Sequence, residues 1–90
     1  QIANKIEVLW NSANSYVNKY ISGVAIGILT IGVTQQKPKA LAVSAWSSSI
    51  WAEYYRRKEL VTIDSVDDLD FSSFGAIPHS VPELQAEVGL

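Results

Sequence analysis

Three features of the sequence predict a mainly α chain folded as a long antiparallel helical hairpin. Apolar and small residues recur at alternating spacings of four and three from Ile2 to Gly27. One clear break follows, at Gln35-Gln36-Lys37-Pro38. A second helical pattern then runs to a cationic end at Arg56-Arg57-Lys58. The predicted helices cover about 2–34 and 39–58. An irregular acidic segment completes the chain, with a short helix at about 81–88. Residues 1–58 therefore read as a helical-hairpin body, and residues 59–90 as an acidic segment packed on that body or on a partner.

The first helix carries its seam at Ile2, Ile6, Leu9, Ala13, Tyr16, Tyr20, Gly23 and Gly27. Up to Lys19 the opposite face is polar, with Asn4, Lys5, Glu7, Asn11 and Asn14. Beyond Lys19 that face disappears and a second apolar seam opens at Val17, Ile21, Val24, Ile28 and Ile31. A helix that turns apolar all round passes from a surface into a core, an interface or lipid. Gly23, Gly27 and Gly32 each cost a helix about 1 kcal/mol relative to Ala. With the β-branched residues around them, they also suit strands at 24–34 and 40–46. The seam continues from Ile2–Tyr20 without slipping, which favours helix.

Pro38 disfavours helix at Lys37 and suits the first turn of a new one. The second helix has a bulky stripe of Val43, Trp46, Ile50 and Tyr54, flanked by Trp51 and Tyr55. A separate ridge, Ala40, Ser44, Ser48 and Ala52, is small throughout. Packed against Gly23 and Gly27, it would let two helix backbones approach closely and gain dispersion contacts. The cations at residues 56–58 complement the helix dipole.

The tail changes character. Leu60-Val61-Thr62-Ile63 is a short β-prone run, and Ser65 is placed to cap a turn holding Asp67 and Asp68. Ser80-Val-Pro-Glu83 is a capping-box signature with Pro in the first turn.

Charge is divided between the two parts. All seven Lys and Arg lie in residues 1–58, where only Glu7 and Glu53 oppose them, leaving +5. Residues 59–90 carry seven acids and no Lys or Arg, leaving −7, and the two combine to the net −2. The acidic run Asp64–Asp70 is therefore expected to dock near Lys19 or Arg56–Lys58, of its own body or of a neighbour's. Helix 1 is about 50 Å long and helix 2 about 30 Å at 1.5 Å per residue. The stripe through Ile2, Ile6, Leu9, Trp10 and Ala13 projects past helix 2 and needs a cover, from the tail or from a second subunit.

The absence of Cys excludes disulfides, thiolate metal sites and a Cys nucleophile, and favours a reducing compartment. With no Met at all, the chain reads as processed, excised or numbered from after its initiator. His79 is the lone histidine and sits in a loop beside the Ser80 cap. Asp64, Asp67, Asp68 and Asp70 fail calcium-loop spacing, since Leu69 falls where Gly is needed and Gly75 where Glu is needed. No phosphate-cradling glycine loop is present. No catalytic residue, cofactor or metal ligand is therefore assigned, and the chain is not expected to be an enzyme. Tyr54-Tyr55-Arg56-Arg57-Lys58 could stack on bases, but a tail of −7 would compete for that patch, so nucleic acid is an unlikely partner.

The uncharged run Tyr20–Gln36 has 17 residues, the lower edge of what spans a bilayer. The second uncharged run, Ala40–Ala52, has 13 and contains four serines. A two-span membrane hairpin is the alternative reading.

The stretch Ala40–Lys58, with Ala-Trp-Ser-Ser-Ser-Ile-Trp-Ala-Glu-Tyr-Tyr-Arg-Arg-Lys, resembles helices of short bacteriophage-encoded accessory or assembly proteins. The resemblance covers about a fifth of the chain and brings no functional residue with it. It implies a non-enzymatic role in a virion or its assembly. A holin-like membrane hairpin is the second phage-type reading, from which the 32-residue acidic segment departs.

The expected function is protein–protein interaction or a structural part of a larger assembly, through aromatic and small-residue helix faces. The partners would be copies of the chain or other subunits. The expected interface residues are Ile6, Leu9, Trp10, Gly23, Gly27, Trp46, Trp51 and Tyr54. The expected location is cytoplasmic or virion-associated, with the membrane as the alternative.

Overall fold

A computed structural model describes all of residues 1–90. The chain is mainly α and contains no strand. Helix α1 spans Ile2–Asn18, α2 Val24–Thr34, α3 Pro38–Lys58 and α4 Val81–Glu87, with a single 3₁₀ turn at Ser72–Phe74. Helices α1 and α2, end to end, form one arm of the hairpin and α3 the other, and α4 packs on α2 and α3. The result is a rod of 50 × 20 × 19 Å.

The first arm differs from the expected continuous helix. It breaks at Lys19–Gly23. Tyr20 and Ile21 still donate backbone hydrogen bonds to Val17, at 3.1 and 3.0 Å, and then the ladder stops. Gly23 takes φ +57°, a conformation that glycine adopts without steric cost, and caps the start of α2. The break lets the buried line change seams. Leu9 and Ala13 belong to the first seam, whereas Val17, Ile21 and Ile28 belong to the second, with Ala25 between them.

Helix α2 ends in a Schellman motif. Gln36 sits at φ +56°, its N–H bonds Val33 at 3.0 Å, and the Lys37 N–H bonds Gly32 at 2.9 Å. Pro38 then opens α3. The Glu87 carboxylate, from the far end of the chain, accepts from the Lys39 N–H at 2.9 Å and the Ala40 N–H at 3.1 Å. It thereby satisfies donors that a helix start leaves unpaired. The expected capping box at Ser80 and Glu83 is present at the start of α4.

The small-residue ridge meets its partner one step from where the sequence places it. Gly32, not Gly23 or Gly27, makes the close approach. A Cβ on Gly32 would lie 2.5 Å from the Ala40 Cβ, while one on Gly27 would meet nothing within 4 Å. Ala40 is fully buried at this crossing, whereas Ser48 and Ala52 face solvent.

Two apolar cores lie along the rod. Leu9, Ala13, Val17, Ile50, Tyr54, Val61 and Phe71 form one, between α1, α3 and the tail. Ile21, Ala25, Ile28, Ala40, Val43 and Leu84 form the other, between α2, α3 and α4. Val61, Phe71 and Leu84 come from the tail, so residues 59–90 strap one side of the hairpin along its length. This segment covers Ile6, Leu9 and Ala13 of the helix-1 stripe and leaves Ile2 and Trp10 exposed.

Candidate interaction surface

The strapped side is held by a few cations and one phenol. Lys5 Nζ donates to the Thr62 carbonyl at 2.7 Å and lies 3.5 Å from the Asp67 carboxylate. Arg57 donates to the carbonyls of Asp68 at 3.1 Å and Asp70 at 2.8 Å. Its guanidinium lies 4.3 Å from the centre of the Phe71 ring. The tail thus docks on Lys5 and Arg57, while Lys19, also expected to receive it, instead lies over the Tyr20 ring. The Tyr16 hydroxyl donates to the Gly75 carbonyl. Desolvation by burial, and then the neighbouring Tyr20, push the Tyr16 phenol up.

Glu53 accepts from Arg56 at 2.6 Å and from Arg57 at 2.7 Å, and these two guanidiniums pull its pKa down to about 2. Asp70 is lowered chiefly by hydrogen bonding from Ser72. His79 Nδ1 lies 2.9 Å from Glu83, and this contact is the first cause of the lowered Glu83 carboxyl. His79 is therefore tied to the α4 cap, and no group of three or more His, Asp or Glu is placed to hold a metal ion. The largest cavity, about 310 Å³, lies at the free end of α1 between Gln1, Asn4, Lys5, Val8, Asp67 and Leu69.

The other side of the hairpin carries no strap. On α3, Leu41, Ala45, Ser48, Ala52 and Tyr55 recur at spacings of four and three, and all five are exposed. None is charged. They lie around the helix from Arg57, which grips the tail, and from Trp46, which packs on Tyr16 and Tyr20. On α2, Leu29 and Val33 are half-buried in the core shared with α4. Val24, Gly27 and Ile31 turn to the other side of α2 and are exposed, Val24 at 84%. Trp10 continues this face onto α1. It is 43% exposed and its ring centre is 5.8 Å from that of Trp51. Trp51 stacks edgewise on Tyr54, and Tyr54 on the exposed Tyr55, so an aromatic row crosses from α1 to α3.

The residues expected at an interface separate into three groups. Leu9 and Tyr54 are buried in the chain's own core, with Ile6, Trp46 and Trp51 half-buried against it. Gly23 sits at the helix break and Gly27 on the open face. Trp10 stands on the open face beside Trp51. Sequence reasoning missed Leu41, Ala45, Val24 and Ile31 as surface residues. The signal lay in the spacing of Leu41, Ala45, Ser48, Ala52 and Tyr55, a second four-three series beside the bulky stripe.

The uncharged run Tyr20–Gln36 contains the helix break, and no helix is long and apolar enough to cross a membrane. Neither a protein family, nor a curated protein, nor a solved structure matches the chain.

Proposed function

We propose that this chain is a non-enzymatic structural subunit that works by associating with copies of itself. The setting would be an assembly of the kind that short bacteriophage accessory proteins build. One observation carries the reading. The unstrapped side of the hairpin presents Leu41, Tyr55, Val24, Ile31 and Trp10 to solvent with no charge along the α3 stripe between Leu41 and Tyr55. Charged side chains are depleted, and aromatic ones enriched, at the centres of protein interfaces. Small monomeric proteins break up such faces with charge, because contiguous exposed apolar area promotes association. Here the charges lie on α1, at the ends of α3 and on the strap instead.

The test is sedimentation of the full chain over a wide concentration range, beside a Ser48→Arg variant. Ser48 is exposed, so the charge leaves the monomer fold intact, as far-UV circular dichroism would report. The expected mass is a multiple of one chain, falling to one chain in the variant. A one-chain mass for the parent at every concentration overturns the reading.

A further inference from the structure

The open face is complementary to itself when reversed. We infer that its occupant is a second copy of this chain, packed antiparallel about a two-fold axis through Ser48, with Trp10 of each copy seated over the partner's Gly27. This rests on the reading of the chain as a self-associating subunit.

The first argument is the order of side-chain sizes along α3. Leu41 is large, Ala45, Ser48 and Ala52 are small, and Tyr55 is large. The order is the same from either end. A two-fold interface requires such a surface, because each position is met by its counterpart across the axis. Small residues at the middle let the two α3 backbones approach, and the large ones close the two ends.

The second argument is the level of each residue along the rod. Gly32 abuts Ala40. Helices α2 and α3 run antiparallel, so Gly27, five residues before Gly32, lies level with Ala45, five residues after Ala40. Trp10 lies against Trp51, three residues beyond Ser48, while Ala45 lies three residues before it. A two-fold axis at Ser48, lying in the plane of the face, carries the level of Trp51 onto that of the partner's Ala45. It therefore brings Trp10 onto the partner's Gly27. Gly27 is a hollow, with nothing within 4 Å of where its Cβ would be, and exposed Val24 and Ile31 lie one turn to either side. The half-exposed indole of Trp10, backed by Trp51, is the large side chain brought to this level.

The third argument is area. The long faces of a rod of 50 × 20 × 19 Å are on the order of 1,000 Å², against about 800 Å² that each partner supplies to a stable, specific complex. The α3 stripe alone is about 21 Å long and about 10 Å wide, which is too little. The dimer has to use Trp10 and the edge of α2 as well, and the arrangement about Ser48 engages both. Lys39 lies 3.9 Å from Glu83 and Arg56 pairs with Glu53 at 2.6 Å within each chain, which leaves Lys58, over the Tyr55 ring, and Glu7, one turn before Trp10, as the charges at the edges of the face.

The chain has no cysteine, so introduced ones report pairing cleanly. Mild oxidation is expected to link Ser48→Cys chains to each other as a covalent pair. Leu41→Cys chains are expected to link to Tyr55→Cys chains and not to themselves. Filling the hollow with Gly27→Leu is expected to raise the dissociation constant at least tenfold, measured by sedimentation. The helical circular dichroism should be unchanged, because the space is open within the monomer. Self-linking of Leu41→Cys, or an unchanged dissociation constant in Gly27→Leu, overturns the antiparallel pairing. If association then still responds to Ser48→Arg, self-association stands without it. A one-chain mass removes both.

Discussion

Lys5 and Ser65 lie sixty residues apart in sequence and share two hydrogen bonds, from Nζ to the Ser65 carbonyl at 2.6 Å and to its hydroxyl at 3.0 Å. The same ammonium reaches the Thr62 and Ile63 carbonyls at 2.7 and 3.3 Å. One side chain near the start of α1 thereby gathers the turn that follows α3. That turn positions Val61, which closes the first core.

Replacing Lys5 with Met keeps the aliphatic stem and removes the donors. The freed carbonyls regain water, so the cost is that of charge-assisted hydrogen bonds at a half-buried site, about 2 kcal/mol. The urea midpoint should fall accordingly. Amide exchange should accelerate around residues 61–67 before the rest of the chain. Uniform exchange across the molecule would show that Lys5 is not a local hook.

Acid should weaken the junction of α3 and the strap through Glu53. Its carboxyl titrates at about 2 in the folded chain, below its ordinary value of 4.5, because Arg56 and Arg57 hydrogen-bond the charged form. A depressed folded-state pKa contributes stability that is fully present above the unfolded value. That contribution is lost as pH falls from about 4.5 through about 2. Arg56 is well exposed, so salt should shrink the effect. The Glu53→Gln variant should show a flatter stability profile across this window than the parent. An identical slope in both proteins would place the acid sensitivity elsewhere.

The hairpin and its turn were legible in the sequence because helical periodicity and proline act locally. The Ser80 capping box was legible for the same reason. The break at Lys19–Gly23 was hidden, because two apolar seams run side by side there and either continues a helix pattern. What decides between them is the partner surface, Ala40 and Val43 from α3, which no local window contains. The charge split pointed to docking of the tail, on the body or on a partner. It could not single out Lys5, because a lone lysine on a polar helix face looks like any solvated one. The Glu87 cap on α3 was hidden likewise, since its two partners are 47 and 48 residues away. The open face was half legible. Trp10 and Gly27 stood out by residue type, whereas Leu41 and Ala45 became surface residues only once the bulky stripe was known to face inward.

The left-handed residue at the end of α2 predicts a simple gain. Gln36 adopts φ +56°, which costs a residue with a Cβ about 1–2 kcal/mol. Glycine avoids that strain but loses more chain entropy on folding, which offsets part of the gain. Gln36→Gly should therefore stabilise the chain by about 0.5–1 kcal/mol, read as a higher thermal midpoint. Unchanged or lower stability would mean that the Gln36 side chain contributes contacts worth as much as the strain.

The two glycines of α2 predict opposite signs for one substitution. Gly27→Ala adds a methyl group into open space and improves helix propensity, so it should stabilise the monomer by about 1 kcal/mol. Gly32→Ala gains the same propensity but drives its Cβ to 2.5 Å from the Ala40 Cβ. Neither methyl can rotate away, so α2 and α3 must separate. The Val88 Cγ1, 3.5 Å from the new atom, is at ordinary contact distance, so the clash is with Ala40 alone. Overpacking of this kind costs about 1–3 kcal/mol, exceeding the propensity gain. Chemical denaturation should therefore order the three proteins with Gly27→Ala above the parent and Gly32→Ala below it. Reversal of that order would move the close contact of the hairpin back to Gly27. That would also remove the hollow on which the seating of Trp10 depends.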